Sequence, residues 1–300
     1  MNAGMQQRLS PESRPLGRSG IMVSPIAWGM WRLSGEVPAA RMLVEAALET
    51  GITLFDTADI YGSAELGGFG GAESLFGRVL ADMPGLRERI VLATKGGIMP
   101  GVPYDSSPVY LDRAIDASLR RLGVEQVDLW QVHRPDLFAH PQELAATLER
   151  FVASGKARAI GVSNFTPAQV AALEHFLTIP LASIQPEFSP LHTAPLWDGT
   201  LDAAMARDHA VLAWSPLGGG RVADGQGGAA SLLAAKAKEA GVCVAAATYA
   251  WAMAHPARII PIVGSQRADR IREASDAYKV SWTRAEWYAV LQAAMGERLP

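Results

Sequence analysis

Short, nearly unbroken apolar runs alternate along the chain with longer stretches in which apolar residues recur every three or four positions. Eight such runs stand out: Ile26–Gly29, Thr53–Ala58, Ile90–Lys95, Val127–His133, Ala157–Asn164, Ala182–Phe188, Ala210–Pro216 and Ile259–Ser265. A strand that is apolar on both sides is buried on both faces, the situation of a parallel sheet covered by helices. The intervening stretches carry helix punctuation. Val37–Gly51 begins beside a proline and stops on glycine, and Ser107–Gly123 has a serine N-cap, Pro108 at the first helical position and a terminal glycine. His140–Gly155 and Thr166–Leu177 repeat the scheme. Eight strands, each followed by a helix, predict a closed α/β (β/α)8 TIM barrel. A hairpin-like segment, Gly17–Ser24, precedes the barrel and an extra helix, Thr283–Met295, follows it. No repeat or linker divides the chain, so the expectation is one domain over residues 1–300, with 1–14 as a flexible tail.

Composition narrows the class. The chain has 300 residues, 49% hydrophobic and 19% charged, with a formal net charge of −3. That balance fits an ordinary globular protein and offers no general attraction to nucleic acid or an anionic membrane. Cys243 is the single cysteine, so no intramolecular disulfide forms. The polar start lacks the apolar core of a signal peptide. The longest apolar run, Val242–Ala254, falls short of the roughly 20 residues of a membrane span and reads as a buried, alanine-rich helix. These features predict a soluble, cytoplasmic protein acting on a small molecule; they leave its oligomeric state open.

In a parallel barrel the chemistry sits where the strands end. Those ends read Gly29–Met30–Trp31, Asp56, Lys95, His133, Ser163–Asn164, Gln185, Trp214–Ser215 and Gly264–Ser265. Asp56 closes a hydrophobic run, and Tyr61 follows five residues later. A phenol of ordinary pKa near 10 gives up its proton reluctantly at neutral pH. A lysine ammonium ~4 Å away favours the phenolate by roughly 4 kcal/mol at an effective dielectric near 20. Lys95 can supply that charge, Asp56 can hold Lys95 charged, and His133 can hydrogen-bond a carbonyl. Asp56 and Lys95 alone would better suit a structural ion pair at the rim; the tyrosine and histidine are what point to catalysis. The six histidines show no metal-ligand spacing, and no zinc or Walker motif is present.

The stretches FDTADIYG, LATKGG, DASLRRLGVEQVDLWQVHRPD, GVSNF, AWSPLGGG and IVGSQRADRIREA, in this order over nearly the whole chain, resemble the aldo-keto reductase family. The resemblance implies NADP(H)-dependent reduction of an aldehyde or ketone to an alcohol. Tyr61 would be the general acid, Lys95 and Asp56 its tuning pair, and His133 the group orienting the carbonyl. It also implies that Ser163, Asn164 and Gln185 hydrogen-bond the nicotinamide carboxamide and that Trp214 stacks on the ring. Ser215, Leu217 and Gly218 would line the pyrophosphate, with Gly29, Met30 and Gly264 beside the cofactor and Trp31 walling the substrate pocket. Ser265 and Arg270, assisted by Arg267 and a helix N-terminus, would grip the 2′-phosphate. A second reading stays open, a regulatory subunit that binds the cofactor as a redox sensor with slow turnover. Gly218–Ala223 matches the G-x-G-x-x-A fingerprint, but it follows a late strand and reads as a loop. Two departures from the family pattern stand out. An insertion, Ser63–Gly70, lies beside the tyrosine, and Ala274 replaces an asparagine that contacts adenine.

Overall fold

The structure is a computed structural model and describes residues 9–62, 64 and 67–299. Its centre is a closed barrel of eight parallel strands. They are β1 (Ala27–Gly29), β2 (Leu54–Asp56), β3 (Val91–Gly96), β4 (Val127–Val132), β5 (Ala157–Ser163), β6 (Leu181–Gln185), β7 (Ala210–Ala213) and β8 (Ile260–Val263). Each pairs with its neighbour in sequence, and β8 closes on β1 through Ile262↔Ala27. Every apolar run named above supplies one strand, shortened by one to three residues at most ends. The residues trimmed from the C-terminal ends, including His133, Asn164 and Trp214, are the first residues of the loops above the barrel.

Two apolar layers follow from the alternation of side chains along a strand. Trp28, Phe55, Leu92, Trp130 and Ile160 face outward and pack with the helices in the large core. Ala27, Leu54, Ala93, Leu129, Ala159, Leu212 and Ile262 form a second, separate cluster within the barrel. Two residues beyond several of these interior positions the side chains turn polar. Leu54 leads to Asp56, Ala93 to Lys95, and Leu129 to Gln131 and then His133. The period of two therefore delivers the site to the top of the same interior stripe that is apolar below.

Leu16, Ile21 and Val23 join the interior cluster from a two-stranded antiparallel hairpin, Arg14–Pro15 with Met22–Val23. Arg14 is buried and donates to the carbonyl of Ile259, at the start of β8. The hairpin thus closes the N-terminal end of the barrel. Arg14, expected to end a flexible tail, is instead a fixed strand residue; residues 1–8 lie outside the described residues.

Helix signals act as their chemistry predicts. Ser107 Oγ accepts from Tyr110 N at 3.3 Å, and Thr166 and Gln169 form a reciprocal capping box. The alanine-rich run forms the buried helix Val244–Met253, with Cys243 as its N-cap. The helices Thr200–Arg207 and Ala230–Ala240 supply the expected helix after β6 and after β7, whereas the short hairpin pairing Ile98–Met99 with Val102–Tyr104 is an addition not foreseen from the sequence. No helix among the described residues is long and apolar enough to cross a membrane.

Candidate active site

Lys95 is fully buried, and its ammonium is spent on three oxygens. Nζ lies 2.6 Å from Asp56 Oδ2, 2.8 Å from the Thr57 carbonyl and 3.5 Å from Tyr61 OH. An ammonium has three N–H donors, so this set exhausts it. The other Asp56 oxygen, Oδ1, accepts from Gln185 Nε2 at 3.1 Å and from Gln131 Nε2 at 3.4 Å. Gln131 in turn accepts from Ser183 Oγ at 3.2 Å. A buried carboxylate is costly unless paired and hydrogen-bonded; here three strands contribute the donors.

Tyr61 is partly buried and is carried on the loop after β2. That loop is pinned along the edge of β3 by Thr57 N to Ala93 O and Asp59 N to Lys95 O, both 2.9 Å. The imidazole of His133 meets the Tyr61 ring edge-on at 5.6 Å between centroids. His133 is buried, and neither ring nitrogen hydrogen-bonds to the described residues, with Nδ1 sealed from solvent. Burial, with Lys95 and Arg134 adding to it, holds the imidazole well below its ordinary pKa, so it is neutral at neutral pH.

The phenol departs from the sequence-based expectation. Lys95 stands at the expected distance and pulls the Tyr61 pKa down, but burial pushes it up by more, and Asp56 adds to burial. The net position is above the ordinary tyrosine value, not below it. For Lys95, burial works against the charge, but Asp56 and Tyr61 outweigh it and hold the ammonium above its usual value.

The residues expected to hold a nicotinamide lie on the neighbouring strand ends, tied to one another. Ser163 Oγ donates to the Gln185 carbonyl at 2.9 Å. Asn164, at a positive φ of 62°, donates through Nδ2 to the His133 carbonyl and to Ser163 Oγ, at 3.1 and 2.8 Å. Its Oδ1 accepts from the indole of Trp214 at 2.9 Å, which fixes the plane of that ring. Gln185 gives its amide to Asp56, a partner that sequence reasoning did not foresee. Gln131 was missed altogether; its place two residues before His133 on the same strand face was the available signal.

After β7 the backbone turns sharply. Ser215 has a positive φ of 49°, and Gly218, Gly219 and Gly220 have φ of 57°, 75° and 105°, in the region that favours glycine. A side chain at Gly219 or Gly220 would meet nothing, so this turn is an open cradle and not the start of a helix as a Rossmann fingerprint would require. Leu217 begins the turn. Gly29 pairs with Asp56 in register, and a Cβ there would fall 2.6 Å from Ile262 Cγ2, so close strand packing alone explains it. Met30 is fully buried, and Trp31 stands 60% exposed at the rim.

On the β8 side, Ser265 Oγ accepts from Arg267 N, and the Trp28 indole donates to the Ser265 carbonyl. Gly264 is exposed with open space around it. Arg270 is exposed and forms no ion pair among the described residues. Arg267 forms an exposed ion pair with Asp269. The helix Ala268–Glu273 begins three residues after Ser265. Ala274 is buried in the large core, so its small side chain is spent on packing. Of the insertion, Phe69 lies over the Arg121 guanidinium at 5.8 Å; Ser63, Glu65 and Leu66 lie outside the described residues.

This chain belongs to the aldo/keto reductase family, whose profile matches residues 25–294. It is thus an oxidoreductase of a family that uses nicotinamide cofactors. It is 58% identical over 299 residues to a 6-dehydroglucose reductase from Novosphingobium aromaticivorans, covering 97% of this chain and 98% of the relative. A protein of the same name from Agrobacterium fabrum is 36% identical over 93% of this chain and 97% of its own length. Among solved structures, the glycerol dehydrogenase of Gluconobacter oxydans superposes with a TM-score of 0.83 at 27% identity, covering 96% of this chain and 97% of that one.

Proposed function

We propose that this protein reduces the aldehyde group of a hydroxylated, sugar-like compound to an alcohol with NADPH, and that Tyr61 is the proton donor. The observation that carries the reading is the Lys95 ammonium set between Asp56 at 2.6 Å and the Tyr61 hydroxyl at 3.5 Å, at the mouth of the barrel. The residues present suit a bound nicotinamide dinucleotide. Trp214 offers an indole face held by Asn164, the glycine turn after β7 offers free backbone, and Arg270 offers an uncompensated guanidinium. A reduced nicotinamide, when bound, supplies the hydride. The choice of a sugar-like aldehyde is supported by the names of the two relatives above.

The chain's own residues do the rest. His133, neutral and without a partner for its ring nitrogens among the described residues, orients the carbonyl by donating a hydrogen bond. Tyr61 holds its proton throughout the neutral range because burial raises its pKa. As that proton leaves for the carbonyl oxygen, negative charge develops on the phenol oxygen, 3.5 Å from the ammonium. Lys95 therefore stabilises the transition state more than the ground state, which is the condition for catalysis. Asp56, held by Lys95, Gln131 and Gln185, keeps the ammonium in place.

Loss of nicotinamide absorbance with 6-dehydroglucose in a single-turnover mixture tests the reading. Fast oxidation is expected; binding of NADPH with negligible oxidation would favour a redox sensor instead. Arg270→Ala tests the cofactor preference. A charge-assisted contact to the 2′-phosphate predicts about ten- to hundredfold weaker NADPH binding with NADH almost untouched. Equal losses for both dinucleotides would show that Arg270 does not read the phosphate.

A further inference from the structure

Arg134 follows His133 directly, and among the described residues no carboxylate answers its charge. The guanidinium lies 5.7 Å from the centre of the Trp214 ring. Its charge also reaches both Tyr61 and His133. It is only partly buried and forms no ion pair among the described residues. The nearest carboxylate in sequence, Asp136, is turned away: Oδ2 accepts from Ser106 N at 2.8 Å and Oδ1 from Phe138 N at 2.9 Å. Other partly buried arginines of this molecule are answered. Arg121 meets Glu73 at 2.6 Å, and Arg87 meets Asp128 at 2.9 Å. Within the site itself, Asp56 and Lys95 cancel and His133 is neutral, so the cation of Arg134 is left over.

A guanidinium carries five N–H donors and no acceptor. Partly exposed and with no carboxylate paired to it among the described residues, that of Arg134 is left to water in the free protein, and a substrate's oxygens can take the water's place. It lies beside the indole expected to carry the nicotinamide and follows directly on the histidine expected to hold the carbonyl, so it borders the place where the carbons next to the reacting carbonyl would lie. We infer that Arg134 binds the oxygen atoms borne beside the reacting carbonyl, and so selects polyhydroxylated or oxyanionic aldehydes over alkyl ones. This rests on the reductase reading above and adds the residue that sets its substrate class. The planar fork suits two neighbouring oxygens at once, which a lysine could not match.

The test compares a matched pair of aldehydes, D-glyceraldehyde and propanal, together with 6-dehydroglucose, in wild type, Arg134→Met and Arg134→Lys. With methionine, KM for the hydroxylated aldehydes should rise about ten- to hundredfold, as expected for loss of charge-assisted hydrogen bonds. For propanal, kcat/KM should stay within about threefold, and the dissociation constant of NADPH, measured by fluorescence without substrate, should not move. Lysine should restore part of the loss. Equal losses for propanal and glyceraldehyde would overturn the inference and make Arg134 a support for Tyr61 and His133. A loss confined to NADPH affinity would place its contact on the cofactor, and an unchanged KM for every aldehyde would also refute it. Wild-type turnover of propanal keeps these outcomes separate from a failure of the reductase reading, which would abolish NADPH oxidation with every aldehyde.

Discussion

Asp56, the last residue of β2, and Asp59, three residues on in the loop that follows, are 2% and 1% exposed, and the molecule treats them in opposite ways. Asp56 is surrounded by donors: an ammonium and two carboxamides. Asp59 has no hydrogen-bond partner for either carboxyl oxygen among the described residues. Burial, with Glu73 beside it, holds Asp59 well above the usual carboxylate range, although Arg121 and Lys95 pull the other way. The cations near Asp59 are already taken. Lys95 spends its three donors on Asp56, Thr57 and Tyr61, and Arg121 is given to Glu73 at 2.7 and 2.6 Å. Equal depth therefore does not give equal company; the allocation of cations decides it. One aspartate holds the Lys95 ammonium, and the other, left without a donor among the described residues, is packed against the end of β3 with its pKa held well above the usual carboxylate range.

Removing the shared cation should break the comparison most strongly. Lys95→Met leaves Asp56 buried without its cation and Tyr61 without the charge that stabilises its phenolate. Loss of proton-transfer assistance predicts a fall in carbonyl reduction of about 10²–10⁴-fold. Breaking a buried pair from one side costs about 3–5 kcal/mol of stability, readable in a urea titration. A variant that kept both its rate and its midpoint would show that the pair is idle.

Asp59→Asn should have a far smaller effect, and of the opposite sign on stability. The folded state holds the Asp59 proton to a higher pH than the unfolded chain, which releases it near the ordinary value of 3.8. The native state then binds more protons, so stability falls as pH rises from that value towards the raised one. Asparagine removes this dependence. The variant should melt a few degrees higher than wild type at pH 7, at roughly 2–4 °C per kcal/mol for a chain of 150–250 residues and less for this one. The gain should shrink towards pH 4, and kcat at neutral pH should hardly change. A lower melting temperature with collapsed activity would mean that Asp59 is ionised and in use.

Much of this was legible in the chain. Parallel strands buried on both faces leave apolar runs that need no partner to be read, and Tyr61, Lys95, His133 and Asp56, the residues the sequence reading picks out, sit at or just after strand ends, where barrels of this kind place chemistry. The hairpin at 98–104 escaped because its GGIMPGVPY stretch is dominated by glycine and proline and reads as loop. The direction of the Tyr61 pKa escaped for a different reason. Distance to Lys95 could be inferred from strand order, but the depth of burial that outweighs it is a property of the packed whole. Gln131 escaped, and the hold of Gln185 on Asp56 with it, because both depend on separate strands converging on one carboxylate oxygen.

The central claim is that Tyr61, kept protonated by burial and faced by Lys95, delivers the proton in carbonyl reduction. Its most direct test is the single-turnover rate of NADPH oxidation by aldehyde in wild type and Tyr61→Phe, followed from neutral to strongly alkaline pH. The account predicts a wild-type rate that is level through neutrality and falls only above pH 10 or so, where an ordinary phenol ionises. It predicts a phenylalanine variant slower by about 10²–10⁴-fold with NADPH affinity intact. A variant that keeps most of the wild-type rate, or a wild-type rate that begins to fall near pH 7, would contradict it.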